Sequence, residues 1–168
     1  MKTIGTILTL FLGVAIGALG YHYFSQCRAK PSGSPKITHS TSDPERTAME
    51  TVFAHRYARF HRSKDLNGLL GMGKYEGVWE NIVSSRKSNL SRSFAQEITG
   101  FKFRELTAEE KLNGGKNIGD LSDLSLEPLL QYTISFAQPN PEVDKMGAFI
   151  GYLGAESGQL YMVDRVKK

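Results

Sequence analysis

The clearest strand pattern in the chain is Leu130-Gln131-Tyr132-Thr133-Ile134-Ser135-Phe136. Apolar and polar side chains alternate along it, and successive side chains of a strand point to opposite faces of a sheet. One face of this strand would therefore be apolar and the other polar. This pattern predicts an antiparallel sheet that covers a hydrophobic core with one face.

Three further segments extend this sheet. Upstream, the stretch Phe101–Arg104 alternates phenylalanines with basic residues, as an amphipathic strand does. Downstream, Met146–Leu153 is nearly continuous in apolar residues, and Glu156–Gly158 has the composition of a hairpin turn before a last strand, Gln159–Val166. We therefore expect about four antiparallel strands in the second half of the chain.

The segment before these strands has a helical period. Asp43 is a good N-cap residue and Pro44 suits the first helical position, so a helix should begin there. Its apolar residues recur on one helical face, as Met49, Phe53, Tyr57 and Phe60. A second helix is predicted over Tyr75 to about Glu97, with Val78, Trp79, Ile82 and Val83 as its first buried residues. The predicted fold class is α+β, with two or three helices packed on a curved antiparallel sheet of about four strands.

The N-terminus has a different character. Ile4 to Phe24 forms 21 residues without a formal charge, and about 20 apolar residues suffice to cross the roughly 30 Å hydrocarbon core of a bilayer. This predicts an N-terminal transmembrane helix. A cleaved signal peptide is the first alternative, with Ala18-Leu19-Gly20 as the cleavage site, and a lipid anchor at Cys27 is the second.

The chain thus divides into three parts. Residues 1–27 are a membrane anchor or signal segment, residues 28–43 a flexible tether rich in Pro, Ser and Gly, and residues 44–168 an α+β globular domain. We expect a single-pass protein of the bacterial inner membrane with its domain in the periplasm, or secretion after signal cleavage. The basic residues that follow the apolar segment oppose this orientation under the positive-inside rule, so the orientation stays open.

Charge is unevenly distributed. The net charge is +4, yet residues 28–64 hold eight basic and three acidic residues, while the rest of the domain has more acids than bases. A basic leading segment on a domain that is not itself basic excludes a nucleic-acid surface. His55 and His61 lie near Arg56, Arg59 and Arg62, and this group is predicted to form a solvated basic helix face, or a surface for anionic lipid or an acidic protein.

The chemical motifs favour no catalytic class. One cysteine excludes a disulfide framework, and no nucleophile elbow occurs. Gly68 to Lys74 has the spacing of a phosphate-binding loop, but Tyr75 stands where Ser or Thr should bind magnesium and a helix precedes it, so an interhelical turn is expected. We expect neither a metal nor a cofactor.

A small set of residues could form a ligand site. Arg56 falls within the apolar arc of the first helix, and Asp164 shares its strand face with apolar residues. These two either pair with each other or face a pocket. The aromatic residues would fill the core or line that pocket, so the predicted ligand-binding set is Arg56, Asp164, Tyr57, Trp79 and Tyr132.

The order of elements, together with Phe101–Leu106, Leu130–Phe136 and Gly158–Val163, resembles the nuclear-transport-factor-2-like superfamily, in particular its small exported bacterial members. The resemblance covers Pro44 to Lys168. It implies a conical fold with a pocket between sheet and helices. The family includes isomerases, dehydratases and secretion-system subunits, so it implies no single function.

Two functional hypotheses follow. The first is a membrane-tethered extracytoplasmic domain that acts as a non-enzymatic interaction or scaffold module. Its partners would be the membrane, through residues 4–24, and a protein, with self-association as one form. The alternative is a small-molecule-binding or catalytic pocket that uses Arg56 and Asp164.

Overall fold

The computed structural model describes residues 33–113, 124–137 and 148–166. From residue 34 onward, these residues belong to one compact unit. The predicted transmembrane helix Ile4–Phe24 and Cys27 lie outside the described residues. Within the described ranges, none of the helices combines the length and the apolar character needed to cross a membrane.

The described residues contain four helices. They are α1 (Pro44–Arg62), α2 (Leu66–Leu70), α3 (Glu80–Ser93) and α4 (Ala108–Asn113). The start of α1 is confirmed, because the Asp43 carboxylate accepts the Arg46 backbone N–H at 3.4 Å and Pro44 occupies the first turn. Aspartate and proline are suited to these positions because the first helical N–H groups have no partner within the helix.

The sheet has six strands among the described residues. They are β1 (Lys36–Thr38), β2 (Gly73–Lys74), β3 (Ile98–Glu105), β4 (Pro128–Phe136), β5 (Ala148–Glu156) and β6 (Gln159–Val163). Their order across the sheet is β1-β3-β4-β5-β6-β2. The four central strands pair antiparallel, whereas β1 pairs parallel with β3 and β2 pairs parallel with β6.

The predicted fold class was therefore wrong in its detail. The class α+β holds, but within the described part of the chain the sheet is mixed and six-stranded instead of antiparallel with about four strands, and there are four helices instead of the two or three expected. The two missed strands have three and two residues. A period of two cannot show in so short a run. Strand β1 lies within residues 28–43, the range predicted as a tether.

The second predicted helix begins later than expected. Tyr75 follows β2, and Gly77 turns the chain with a φ of +72°, so α3 starts only at Glu80. The expected burial of Trp79 was wrong. It occupies the N-cap position of α3 and keeps 49% of its surface exposed.

The core lies between α1 and one face of the sheet. The Phe53 ring of α1 contacts Tyr132 of β4 with ring centroids 5.5 Å apart, and the Tyr57 ring contacts Phe101 of β3 at 5.8 Å. Leu130, Tyr132 and Ile134 are fully buried, as the alternation in β4 predicts. Helix α1 thus places its aromatic face directly over the central strands.

A buried carboxylate fastens the segment after β1 to α1. Glu50 has no exposed surface, and it accepts hydrogen bonds from His39 Nδ1 at 2.9 Å, from the Ser40 backbone N–H at 3.2 Å and from the Ser40 hydroxyl. A buried carboxylate requires such donors, since desolvating its charge is costly. We call this arrangement the Glu50 clasp.

Candidate functional site

The structure separates the predicted site residues into two groups. Arg56 donates a hydrogen bond to Gln159 Oε1 at 3.3 Å, whereas Asp164 pairs with Arg86 instead of with Arg56. Trp79 lies at the surface before α3. Tyr57, Tyr132 and Asp164 come together around Arg86, and Tyr75 joins them. We call these five residues the tyrosine–arginine cluster.

The charged part of the cluster is an ion pair between α3 and the end of β6. Arg86 Nε lies 3.0 Å from Asp164 Oδ2, and Arg86 Nη2 bonds the other carboxylate oxygen. This two-bond geometry is the strongest form of an arginine–carboxylate pair. Both side chains are only 13% exposed, so the pair is held in place by the surrounding packing.

The uncharged part consists of three tyrosine hydroxyls. Tyr57 comes from α1, Tyr132 from β4, and Tyr75 from the turn between β2 and α3. Tyr57 and Tyr132 have no exposed surface, yet none of the three hydroxyls has a hydrogen-bond partner among the described residues. Most buried polar side-chain atoms in proteins do have one. An unmet buried donor costs about 1–3 kcal/mol, so three of them in one place need a reason.

Glycines make room for two of these rings. A Cβ added at Gly151 of β5 would lie 2.6 Å from the Tyr132 ring, and one at Gly73 of β2 would collide with the Tyr75 ring. Real Cβ contacts are not so close, so any larger residue at either position would displace a tyrosine. The absence of a side chain at Gly151 and at Gly73 therefore leaves room for the Tyr132 and Tyr75 rings at their observed positions.

Electrostatics keep the three tyrosines protonated and Arg86 charged near neutral pH. Burial raises the pKa of Tyr57 and Tyr132 and raises the pKa of Tyr75 to about 12, while the positive charge of Arg86 acts on all three in the opposite direction. Burial alone would lower the pKa of Arg86, but Tyr132 and Asp164 outweigh it, and the net shift is upward.

Arg86 and Tyr132 connect the two parts of the cluster, since each influences the pKa of the other. Arg86 directs Nε and Nη2 at Asp164, and the Tyr132 hydroxyl has no hydrogen-bond partner among the described residues.

An open groove reaches the ion pair from the surface. It has a volume of about 420 Å³ and is lined by the apolar Ile82, Leu124, Ile150 and Val163 and by the polar Arg86, Tyr152, Asp164 and Arg165, with Gly151 between them. Ile150 is 47% exposed. Sites for small molecules typically have volumes of about 300–1,000 Å³. The groove falls in this range of volume, and its lining is a mixture of apolar and polar side chains.

Sequence reasoning missed Arg86 and Tyr75. Arg86 lies in the polar run Ser84-Ser85-Arg86-Lys87-Ser88-Asn89, which indicates a solvated helix. A usable signal was its spacing, since Arg86 precedes the buried Leu90 and Ser93 by four and seven residues and so shares their helical face. Tyr75 carried no such signal, because its place depends on the short strand β2.

The stretch Gly68–Lys74, which was predicted to be an interhelical turn, contains the end of α2 and both residues of β2. Lys74 forms an ion pair with Glu156, and its Nζ lies 4.6 Å from the centre of the Tyr161 ring. Within the described ranges, there is no group of three or more His, Cys, Asp or Glu side chains that could hold a metal ion.

Comparisons of the chain with family models, with curated proteins and with solved structures found no match. The relationship to the nuclear-transport-factor-2-like superfamily therefore stays a prediction. The functional argument depends on the geometry of the cluster and its groove.

Proposed function

We propose that the domain is a binding module for a small molecule, with its site at the tyrosine–arginine cluster. The observation that carries the proposal is the set of three hydroxyls that have no hydrogen-bond partner among the described residues, beside a nearly buried ion pair. The proposal keeps the pocket hypothesis from the sequence but replaces Arg56 with Arg86 as its cation. It retains Tyr57, Tyr132 and Asp164 from the predicted ligand-binding set.

The chemistry of the groove indicates the kind of ligand. Ile82, Leu124 and Ile150 would contact an apolar body, while Arg86 would donate hydrogen bonds to oxygen atoms. Tyr57, Tyr75 and Tyr132 do not line the groove, so their hydroxyls would donate to the ligand only once the groove lining opens toward them. A compact molecule with an apolar part and an oxygen-bearing polar group fits both surfaces. The raised pKa values of the tyrosines favour hydrogen-bond donation over proton transfer at neutral pH, which supports binding over catalysis.

A ligand screen on the full chain tests this proposal. Compounds of the stated kind are added, and the unfolding temperature is measured; a ligand at about 100 times its Kd stabilises the folded state by about 2.7 kcal/mol. The double variant Tyr57→Phe/Tyr132→Phe should lose most of the shift. The matched control is Tyr161→Phe, whose hydroxyl bonds Gln159 at the surface. A shift that survives in the double variant, or a complete absence of shifts, contradicts the proposal.

A second candidate is an interaction or scaffold module held at a membrane through residues 4–24, with the domain in the periplasm. It is supported by the uncharged stretch Ile4–Phe24 and by a cationic groove beside the first described residues of the domain. Extraction with carbonate should leave the full chain in the membrane pellet, and protease added to the periplasmic side should reach the domain. Release by carbonate, or protection from the protease, would refute attachment or orientation respectively.

A further inference from the structure

Helix α1 presents a histidine and two arginines on one side near its end. His55, Arg59 and Arg62 are spaced by four and three residues, and all three are exposed. We call them the basic face. With Ser34, Pro35 and Ser63 they line a surface groove of about 450 Å³.

The described residues that line this groove include no acid. Arg59 is held by the Phe60 ring, with its guanidinium carbon 4.8 Å from the ring centre. The nearest acid along the chain, Asp65, uses its carboxylate to accept the Gly68 backbone N–H at 2.8 Å. The positive charges therefore face outward without a neutralising carboxylate in the groove lining.

The basic face borders the place where the chain enters the domain. Ser34 and Pro35 lie in the groove wall, and residues 25–32 alone separate Gly33 from the end of the uncharged stretch. Eight residues reach at most about 29 Å when fully extended. A membrane that holds residues 4–24 would thus stay within reach of this face, and Arg28 and Lys30 add positive charge to the connection.

We propose that the basic face docks onto the anionic phospholipid headgroups of the membrane that holds residues 4–24. The proposal depends on the membrane attachment proposed above and is independent of the small-molecule site. Lysine and arginine side chains near an anionic bilayer are attracted to it, and the attraction falls within about one Debye length. Docking would fix the orientation of the domain relative to the bilayer.

The test uses the full chain in vesicles and a local probe. In a Cys27→Ser background, Ser63→Cys carries a fluorophore at the rim of the groove, and the bilayer contains a lipid with a nitroxide quencher on its headgroup. Quenching should be at least about threefold stronger in vesicles with about one quarter phosphatidylglycerol than in pure phosphatidylcholine. Raising NaCl from about 0.1 M to about 0.5 M should abolish the difference, since salt screens exposed charges.

Charge variants separate local docking from net charge. Arg59→Glu/Arg62→Glu should reduce quenching to the phosphatidylcholine level, whereas Lys87→Glu/Arg92→Glu, with the same charge change at exposed positions of α3, should leave it unchanged. Arg59→Gln/Arg62→Gln provides a milder pair that should lose at least half of the effect. Circular dichroism checks that each variant folds.

The other outcomes of this experiment distinguish failure of membrane attachment from failure of docking. Failure of the unlabelled chain to float with either vesicle type refutes membrane attachment, and docking fails with it. Flotation with equal quenching in both vesicle types refutes docking alone. Equal losses in both charge pairs show that net charge acts without a specific face. Loss of quenching with inorganic phosphate at a concentration that leaves ionic strength unchanged identifies a free-phosphate site and overturns the lipid assignment.

Discussion

Tyr57 and Tyr132 each bury a whole phenol ring, yet their hydroxyl oxygens lack partners within the described residues. A phenylalanine would fill the same volume without a polar atom that requires a hydrogen bond. Binding sites commonly sacrifice some stability to keep polar groups free for a ligand. If the proposed ligand binds here, these two tyrosines are the residues where binding and stability place opposite demands on the side chain.

Removing either hydroxyl shows how much stability the unpartnered group costs. Tyr57→Phe and Tyr132→Phe should leave the free energy of unfolding unchanged or raise it by up to about 1 kcal/mol, because each removes an unmet buried donor. Urea unfolding of the ligand-free protein provides the measurement, with Tyr161→Phe as the surface control. A loss above about 1 kcal/mol would show that the hydroxyl already bonds an ordered water or an unidentified ligand.

Changes at Arg86 and Asp164 should have non-additive effects on the free energy of unfolding. Asp164→Asn leaves Arg86 nearly buried without its carboxylate and should destabilise the domain by about 2–4 kcal/mol. Arg86→Met/Asp164→Leu, which removes both charges, should cost less than the sum of the single changes. Urea unfolding of the wild type, Arg86→Met, Asp164→Leu and the double variant gives the coupling energy. Additive losses would mean that the two side chains do not depend on each other.

Helix α1 has three faces, and each face has different surroundings. Phe53 and Tyr57 pack on the sheet, Glu50 forms the clasp to the segment after β1, and the basic face points to solvent. The helix is therefore the element that connects the core, the chain entry and the candidate docking surface. Changes on each face should have separable effects.

The Glu50 clasp should stabilise β1 against local unfolding without affecting the central strands. Glu50→Gln keeps one accepting oxygen but loses the charge and the second acceptor, which removes about 1–2 kcal/mol of local hydrogen bonding. Amides of β1 should exchange hydrogen about tenfold faster, while those of β4 keep their rates. Hydrogen–deuterium exchange measures both. The exposed Glu45→Gln on the same helix is the control, and equal acceleration in β4 would contradict a local role.

His61 should make stability depend on pH near neutrality. Burial lowers its pKa below the ordinary value of 6.5, partly opposed by the Ser93 carbonyl, which accepts a hydrogen bond from Nε2 at 2.9 Å. The unfolded chain therefore takes up the proton first as the pH falls. Stability should decrease as the pH falls through about 6.5 and level off below the lowered pKa.

Two histidines on α1 allow a matched comparison. His61→Gln should show a flatter dependence of unfolding free energy on pH between about 7.5 and 5, because it removes the group that gains its proton on unfolding. The exposed His55→Gln should keep the wild-type dependence. Denaturant unfolding at several pH values tests this. Identical curves for all three proteins would rule out His61 as the source.

At the scale of the whole molecule, the sequence predicted those elements whose period is repeated several times. Strand β4 and helix α1 are long enough to show alternation or a helical face, and the structure contains both. Strands β1 and β2 are not, since their pairing depends on neighbours distant in sequence. Only the folded arrangement reveals the mixed sheet.

The sequence predicts those residues of the candidate site whose burial follows from a helical or strand period. Tyr57 and Tyr132 lie on apolar faces that the period reveals, whereas the choice between Arg56 and Arg86 as the partner of Asp164 depends on which helix packs beside the end of β6. Trp79 is apolar, but the late start of α3 leaves it at the N-cap. The partner of Asp164 and the exposure of Trp79 depend on how distant segments pack together, and the period of a single sequence does not show this packing.

Strand β1 also has a mechanical consequence. It is the first element after residue 33 and lies at one edge of the sheet, so a pull on the preceding chain loads β1 before any other strand. Its three residues and the Glu50 clasp would bear that load, while the fully buried side chains of the core lie in other elements. Under tension, β1 should peel away first, lengthening the connection by several residues while α1 and the central strands stay folded.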